Sequence, residues 1–234
     1  MPVTPDHEHR LAPETRVQTL VDWFAKRDGV LVAFSGGVDS SVVAAAAFHA
    51  LGNRAVACTA ISPSVPAWQR DQARQIALEI GIDHREFETR EAVLDAYVRN
   101  DSRRCFHCKQ TLYQAIKVIR DQSNLGGRSW CLVSGTNADD LGDHRPGIQA
   151  GRMAGVETPL ADLAWNKSHV RAAAMALGLS NAMLPASPCL ASRIAYGTEV
   201  TPRRLQRIEF AEKLLREAGY DIVRVRLRER DSFD

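Results

Sequence analysis

A glycine-rich segment directly after a short apolar run constrains the fold of this chain most. The run GVLVAF (29–34) is apolar and β-branched, which is typical of a buried parallel strand. The segment SGGVDSS (35–41) follows it at once and leads into an alanine-rich helical stretch. Two adjacent glycines let the backbone approach a pyrophosphate, and a helix N-terminus adds free N–H donors and a favourable dipole. The predicted nucleotide-binding residues are Ser35, Gly36, Gly37, Val38, Asp39, Ser40 and Ser41.

Asp39 is the unusual member of this loop, because a carboxylate beside phosphates repels them. It either holds Mg²⁺ or lies behind the loop at the start of the helix. The segment lacks the lysine that follows the second glycine of a Walker loop. It resembles instead the PP-loop of the ATP pyrophosphatase superfamily, whose members adenylate a carboxylate, amide or base oxygen and release pyrophosphate.

The alternation of strand and helix patterns continues along the chain. RAVACTA (54–60) and HREFET (84–89) are strand candidates, and the amphipathic stretch 66–81 lies between them. After the polar segment with RCFHCK, residues 110–120 predict a helix, and SWCLVSG (129–135) predicts a further strand. This alternation predicts an α/β fold with a doubly wound, mainly parallel sheet.

A polar segment, GTNADD (135–140), begins where the strand at 129–135 ends. Ligands of open α/β sheets gather at the carboxyl ends of the strands. We therefore expect Asn137 in the nucleotide site. A purely structural loop remains the alternative, because Asn and Asp are also common turn formers.

The character of the chain changes after residue 142, where glycine and proline become frequent. We expect a PP-loop ATP-binding domain over residues 1–145 and a smaller α+β module, with the segment CLASR, over residues 146–234. Near the end, VRVRLR alternates apolar residues with arginine, so Arg224 and Arg226 project from one face of a predicted strand. They either grip a phosphate or carboxylate or belong to a solvated edge strand.

Three of the five cysteines lie outside apolar runs. Cys58 and Cys131 are predicted to be buried strand residues. Cys105 and Cys108 of RCFHCK have the C-x-x-C spacing that lets two thiolates reach one metal or cluster, and Cys189 is a candidate third ligand. Three thiolates would hold a [4Fe-4S] cluster with one iron open, whereas structural zinc normally closes four positions. Zinc, a redox dithiol and unliganded thiols remain alternatives.

Cys189 is also a candidate catalytic nucleophile. A thiol becomes reactive beside cations, and Arg193 is close to it in sequence. The alternative is a loop cysteine without a chemical role.

Composition excludes several classes of protein. The chain has 234 residues, is 45% hydrophobic and carries a formal net charge of +2. Its apolar stretches are far shorter than the roughly 20 residues that a bilayer span needs, and no apolar signal core begins the chain, so we expect a cytoplasmic protein without membrane contact. The mild net charge gives no reason to expect nucleic-acid binding.

Taken together, these features resemble the LarE-type ATP-dependent sulfur transferases of the PP-loop superfamily, which act in nickel-pincer cofactor biosynthesis. The matching segments run in order through most of the chain, from about residue 30 to residue 226. They are SGGVDSS, RCFHCK, SGTNADDLGDHRPG, CLASRIAYGTEVTP and the terminal RVR.

The resemblance implies that ATP, with Mg²⁺, adenylates a carboxylate of a small-molecule substrate, a pyridinium dicarboxylate mononucleotide, and that sulfur then displaces AMP. In one branch of the family the CLASR cysteine gives up its own sulfur and becomes dehydroalanine. In another branch the C-x-x-C pair joins it to bind a [4Fe-4S] cluster that carries an extra sulfide. Because Cys105 and Cys108 are both present, we expect the cluster branch, with Cys189 as a ligand.

Arg193, Arg224 and Arg226 are our candidates for binding the substrate's phosphate or carboxylate. The resemblance further implies that the protein forms a homo-oligomer. Family members continue past the RVR segment, whereas this sequence ends at Asp234, so it is either a short homologue or a truncated chain.

Three rival functions remain at this point. A PP-loop tRNA thiolase also joins a C-x-x-C pair to a third cysteine, but it would need an RNA-binding surface. An amidating enzyme such as an NAD or GMP synthetase would use ammonia and would not need the cysteines. A nucleotide-binding scaffold would hold ATP without turning it over.

Overall fold

The computed structural model describes residues 12–122, 129–142 and 145–228. Its strands are β1 (Gly29–Ala33), β2 (Ala55–Ile61), β3 (Asp83–Glu88) and β4 (Trp130–Ser134). Its helices are α1 (Pro13–Ala25), α2 (Val38–Leu51), α3 (Ala67–Ile80), α4 (Asp95–Val98), α5 (Arg104–Gln122), α6 (Pro146–Met153), α7 (Pro159–Asp162), α8 (Lys167–Ala176) and α9 (Pro202–Glu217). Short 3₁₀ turns lie at Gly52–Arg54, Glu91–Val93, Ala138–Gly142 and Leu190–Arg193. Asp143 and His144 of the DHRPG segment and the chain after Arg228 lie outside the described residues.

The four strands form one parallel sheet in the order β3-β2-β1-β4. The predicted α/β fold with a mainly parallel sheet is confirmed. Because β1 lies between β2 and β4, the direction of winding reverses between β1 and β4. A crevice forms at the carboxyl ends of the strands at such a reversal, and ligands bind there.

Side chains of β1 alternate between the two faces of the sheet. Val30 and Val32 belong to the main hydrophobic core, with residues of α1, α2, α3 and α8. Leu31 belongs to a second cluster on the opposite face, with Tyr113 and Ile116 of α5. This period of two places α5 and α2 on opposite faces of the sheet.

Helix α2 is buried on nearly all sides, which explains its run of alanines. It packs against α1, α3, α8 and the first two strands, and small side chains let these neighbours approach closely. A helix that is apolar all round is typical of a core position. Within the described chain, no helix combines the length and the apolar character needed to cross a membrane.

A third hydrophobic cluster gathers residues close to the end of the described chain. Leu190, Ile194, Leu205 and Leu227 pack there around Tyr97 of α4. The predicted division into residues 1–145 and 146–234 stays a prediction. Residues of α7 and α8 and of the turn after them, up to Ala182, belong to the main core, so the hydrophobic clusters divide the chain later than residue 146.

Two predicted elements differ from the observed ones. The helix predicted from Gln110 begins six residues earlier, at Arg104, and therefore contains the C-x-x-C pair. The strand predicted for VRVRLR is not formed among the described residues, where Leu227 makes only an isolated bridge with Ile194. The predicted alternation is still present, because Arg224 and Arg226 are exposed and Leu227 is buried.

The loop between β1 and α2 depends on Gly36 for two reasons. Its φ of +70° lies in the left-handed region, and a Cβ at this position would lie 2.7 Å from the Cα of Ala73 in α3. Gly178 has the same φ of +70° but no heavy atom within 4 Å of the Cβ position. Alanine variants of the two glycines therefore differ in one respect: both have a strained backbone, but only the variant at residue 36 also has a steric clash.

We expect Gly36→Ala to destabilise the protein more than Gly178→Ala. Gly178→Ala adds only the strain of holding an alanine in the left-handed backbone conformation, which costs about 1–2 kcal/mol. Gly36→Ala adds overpacking against a backbone atom, worth roughly 1–3 kcal/mol more. The free energies of unfolding from urea titrations check this. Equal losses of unfolding free energy in the two variants would show that α3 moves away from the new methyl group at no cost in stability.

Candidate active site

One cavity of about 580 Å³ connects the β1–α2 loop with three cysteines. The loop contributes Ser35, Gly37, Asp39 and Ser40 to its wall. Helix α5 and the segment before the last 3₁₀ turn contribute the cysteines Cys105, Cys108 and Cys189. The fold therefore brings the two strongest sequence motifs, which are 64 or more residues apart, into one site.

The glycine loop is held by hydrogen bonds on the side away from the cavity. Asn181 Nδ2 donates to the carbonyl oxygen of Gly36 at 2.8 Å and to Ser41 Oγ at 2.9 Å. Gln72 Nε2 of α3 donates to the same carbonyl at 2.8 Å. Sequence reasoning missed both residues, because no motif links them to the loop.

The predicted nucleotide-binding residues have different positions around this loop. Ser35 and Ser40 line the cavity, and their hydroxyl oxygens lie 3.2 Å apart. Ser41 is fully buried and donates to the carbonyl oxygen of Gly37 at 3.0 Å, and Val38 points into the main core. These last two residues can therefore contact a nucleotide only through their backbone.

Asp39 lies in the cavity wall and is already paired. It forms an ion pair with Lys167 at the start of α8 and accepts a hydrogen bond from Asn137 Nδ2 at 3.0 Å. Asn137 is buried, and its Oδ1 accepts from the backbone N–H of Asp139 at 3.0 Å. Asn137 thus fixes the loop after β4 and holds Asp39, instead of lining the cavity itself. A Mg²⁺ contact of Asp39 stays a prediction.

The loops after β1 and β4 touch at the reversal point of the sheet. A Cβ on Gly135 would lie 2.7 Å from the backbone N of Ser40. Any larger residue would push the two loops apart. Gly135 is a site residue that sequence reasoning named only as the first residue of GTNADD.

Cys105 and Cys108 occupy the first turn of α5. Residues three apart in a helix lie on the same face, so both thiols face the same cavity. Cys105 is exposed and Cys108 is half-buried. Burial raises the pKa of the Cys108 thiol to about 12; the charge of Lys109 opposes this rise, and the charge of Glu91 adds to it.

Arg104 and Asn100 connect the start of α5 to the Cys189 segment. Arg104 Nη1 donates to the carbonyl oxygen of Ala191 at 2.8 Å and to Asn100 Oδ1 at 2.5 Å. Asn100 has a positive φ of 54° and donates through Nδ2 to the carbonyl oxygens of Ala195 and Thr198, both at 2.8 Å. The two thiols of α5 and the thiol of Cys189 therefore depend on shared hydrogen bonds.

Arg193 holds the Cys189 segment from inside the protein. Its guanidinium is 3% exposed and forms an ion pair with Glu212 of α9, with Nε 2.9 Å from Oε1. It also donates to the carbonyl oxygens of Pro188 and, at 3.0 Å, Cys189. The structure does not bring Arg193 into the cavity wall as a substrate-binding group. Its observed role is to position the backbone around Cys189.

Arg224 and Arg226 are also not brought into this cavity wall. Both are exposed, and Arg224 Nη2 donates to the carbonyl oxygen of Ala186 at 3.1 Å. Their predicted contact with a phosphate or carboxylate stays a prediction.

The three cysteines share one cavity wall, and their binding of a [4Fe-4S] cluster stays a prediction. Within residues 12–122, 129–142 and 145–228, no three His, Cys, Asp or Glu side chains lie close enough together to hold one metal ion. The thiolates of a [4Fe-4S] cluster each bind a different iron, so they stand further apart than the ligands of one ion. Three thiols in the wall of one cavity match that donor set.

Comparisons with known proteins agree with the fold and the loop. A family model described as NAD synthase matches residues 15–136. The chain is 41% identical to an uncharacterised protein of Synechocystis sp. over 91% of its length and 78% of that protein. It is 33% identical to the pyridinium-3,5-bisthiocarboxylic acid mononucleotide synthase of Lactiplantibacillus plantarum, over 91% of its length and 76% of that protein. An uncharacterised protein of Methanocaldococcus jannaschii is 24% identical over 86% of the chain and 75% of that protein.

The parallel sheet and the glycine loop at its reversal point are those of an ATP-utilising PP-loop enzyme. The chain belongs to the PP-loop superfamily, in the LarE-type family that contains the Lactiplantibacillus plantarum synthase.

Removal of one member of the buried Arg193–Glu212 pair should destabilise the protein strongly. Arg193→Met removes the buried cation of the Glu212 carboxylate and leaves it only the partly exposed Arg216, whose Nη2 lies 3.3 Å from Oε2. The cost should therefore be about 3 kcal/mol, at the lower end of the range for a broken buried pair. The exposed pair Lys213–Glu217 is the matched control, and Lys213→Ala should cost less than about 1 kcal/mol. Adding Glu212→Leu to Arg193→Met should restore much of the loss in urea unfolding. A single variant as stable as the Lys213→Ala control would contradict this.

Alkylation should distinguish the two thiols of α5. Only the thiolate reacts, so Cys108, with a pKa of about 12, should react with iodoacetamide much more slowly at pH 7.5 than the exposed Cys105. Between pH 8 and pH 11 its rate should rise about tenfold for each pH unit. Because folding raises this pKa above 9.0, ionisation favours unfolding, and stability should fall as the pH rises from about 9 toward 12.

Peptide mass spectrometry of timed samples measures this reactivity. Cys58 in β2, whose pKa burial also raises to about 12, is an internal control that should stay unlabelled until the protein unfolds. A rate for Cys108 that is fast at pH 7.5 and constant above it would contradict the prediction.

Proposed function

We propose that this protein is an ATP-dependent sulfurtransferase that adenylates a carboxylate of a pyridinium dicarboxylate mononucleotide and replaces an oxygen of that group by sulfur. The products besides the thiocarboxylate are AMP and pyrophosphate. The observation that supports this best is the single cavity whose wall contains both the glycine loop and three cysteines. The similarity to a synthase named for a pyridinium bisthiocarboxylic acid mononucleotide supports the choice of substrate.

The glycine loop serves the first half-reaction. A substrate carboxylate oxygen attacks the α-phosphorus of ATP, the bond to the β-phosphate oxygen breaks, and pyrophosphate leaves. Backbone N–H groups at the start of α2 face the departing phosphates and stabilise their charge. Asp39, the carboxylate within the loop itself, would hold Mg²⁺, which would neutralise part of the phosphate charge. Lys167, which is paired with Asp39, adds a positive charge there.

The cysteines serve the second half-reaction. In the mixed anhydride with AMP the carboxyl carbon has a good leaving group, so a sulfur nucleophile attacks it and AMP departs. Cys105, Cys108 and Cys189 would hold a [4Fe-4S] cluster, which supplies an open iron for a sulfide. Cys108 must lose its proton to become a ligand, so loading the site releases protons.

Iron and acid-labile sulfide analysis of protein purified without oxygen tests the cysteine site. We expect about four irons in each wild-type chain and none in the triple variant Cys105→Ser, Cys108→Ser, Cys189→Ser. Cys131→Ser is the matched control, because Cys131 is half-buried in β4 and does not line the cavity. It should keep the iron of the wild type.

Two further outcomes separate the alternatives. If the wild type binds no iron after reconstitution, the cluster proposal fails, and transfer of the Cys189 sulfur itself, leaving dehydroalanine at residue 189, takes its place. That residue is then 34 mass units lighter after one turnover, about the mass of H₂S lost when the Cβ–S bond breaks. Pyrophosphate release that depends on tRNA instead of the mononucleotide would overturn the choice of substrate.

A further inference from the structure

A buried glutamate in the wall of the cavity takes no part in the machinery described so far. Glu91 begins the 3₁₀ turn after β3, and this turn packs against α5. The residue is 3% exposed, and its Oε2 atom has no hydrogen-bond partner. Glu91 also lines the cavity, as Cys108 does, and the charge of Glu91 helps to raise the pKa of the Cys108 thiol.

Glu91 differs from the other carboxylates of this wall. Asp39 is paired with Lys167, and Asp140 is paired with Arg145. Glu91 forms no ion pair with a Lys, Arg or His side chain anywhere in the part of the chain that the structure describes. A buried carboxylate without a cation is costly, and proteins normally pair such a group.

A second polar group lies in the same wall. The hydroxyl of Tyr97, on α4, is buried and makes no hydrogen bond of good geometry, and Ser64 is its polar neighbour, close enough to offset part of the rise that burial causes in the pKa of the hydroxyl. Tyr97 lines the same cavity, and electrostatic interactions link it to Glu91, Cys108 and Cys189. The unpaired Glu91 carboxylate indicates a ligand that brings a positive charge, and the Tyr97 hydroxyl is available to the substituents of such a ligand.

We propose that Glu91 and Tyr97 form the subsite for an aromatic cation, with the Glu91 carboxylate as the counter-ion of the substrate's pyridinium ring and the Tyr97 hydroxyl as a hydrogen-bonding partner of its substituents. This assignment rests on the proposed function. A pyridinium nitrogen that carries a ribose cannot lose its charge, so the ring stays a cation in the site. Its delocalised charge is weakly hydrated, which lowers the cost of bringing it into the protein.

The position of Glu91 suits the reaction. The carboxyl groups of the substrate are attached to the same ring as the charged nitrogen. A ring bound at Glu91 therefore keeps its carboxyl groups close to Cys108 and inside the cavity that the glycine loop also lines. The subsite would orient the substrate between the nucleotide and the sulfur donor.

Mg²⁺ is the competing cation, and the surroundings of Glu91 disfavour it. Mg²⁺ needs six oxygen ligands in octahedral geometry. Glu91 belongs to no group of three potential metal ligands among the described residues. A tyrosine ring and cysteine thiols are better neighbours for an organic cation, which gains from an aromatic face.

Calorimetric titration with two matched probes tests this assignment. One probe is pyridinium-3,5-dicarboxylate mononucleotide. The other is its C-nucleoside isostere, which keeps the phosphate and both carboxylates but whose ring carries no charge, because carbon replaces the ring nitrogen. The full chain is used with the ATP analogue α,β-methylene ATP, so that no adenylate forms. We expect the wild type to bind the cationic probe about thirtyfold more tightly than the isostere, the difference expected for a desolvated charge pair.

Four variants refine the test. Glu91→Gln should lose the preference for the cation, whereas Glu91→Asp, which keeps the charge, should retain part of it. Glu88→Gln removes an exposed carboxylate at the end of β3 and should behave as the wild type. Tyr97→Phe should weaken both probes by a similar factor, because it removes a hydrogen bond and no charge. Unchanged affinity for the ATP analogue verifies that each variant is folded.

The possible results separate this inference from the function on which it rests. Equal affinity of the wild type for the two probes overturns the inference without any variant, and so does a preference that survives in Glu91→Gln. Binding of Mg²⁺ alone that depends on Glu91 overturns it in favour of a metal. If the wild type binds neither probe although it binds the ATP analogue, the proposed substrate is wrong and the inference fails with it.

Discussion

The contact between the loops after β1 and β4 is the constraint on which the rest of this site depends. These strands are neighbours although a long stretch of chain separates them, so their carboxyl ends open onto one crevice. Gly135 allows the backbone after β4 to touch the first turn of α2, and Asn137 then reaches Asp39 across the gap. Lys167 completes the same network from α8. The nucleotide loop therefore receives its shape from three distant parts of the chain.

Local patterns were sufficient to predict the sheet and the glycine loop. The apolar run before SGGVDSS and the repeated alternation of strand and helix depend on side chains a few residues apart, and the structure has these elements within a few residues of the predicted bounds. The start of α5 was predicted too late, because polar residues such as Arg103 and Arg104 conceal a helical turn. Arg104 is buried by contacts with Asn100 and Ala191, which no local pattern contains.

The sequence predicts which motifs form the site. It does not predict which residues contact one another there. Nothing near Arg193 in sequence indicates that Glu212 will neutralise it, and the expectation of a substrate-binding arginine arose from its charge alone. Asn181 and Gln72, which hold the glycine loop, and Glu91, which has no cation, are likewise visible only after folding. In each case the decisive contact joins residues that are far apart in the chain. Long-range pairing of polar groups is a property of the packed protein and leaves no periodicity in a sequence.

The cavity lies between two of the hydrophobic clusters. Cys108 and Cys189 pack against the small cluster around Tyr97, whereas the nucleotide loop extends from the main core. Small clusters open at lower free energy than large cores do. A fluctuation that opens this cluster would move Cys108 and Cys189 apart while the nucleotide loop stayed intact. Under the proposed function, the protein would then still form the acyl-adenylate but would lose it to water, so the packing of a few aliphatic side chains would set how much ATP is hydrolysed without sulfur transfer.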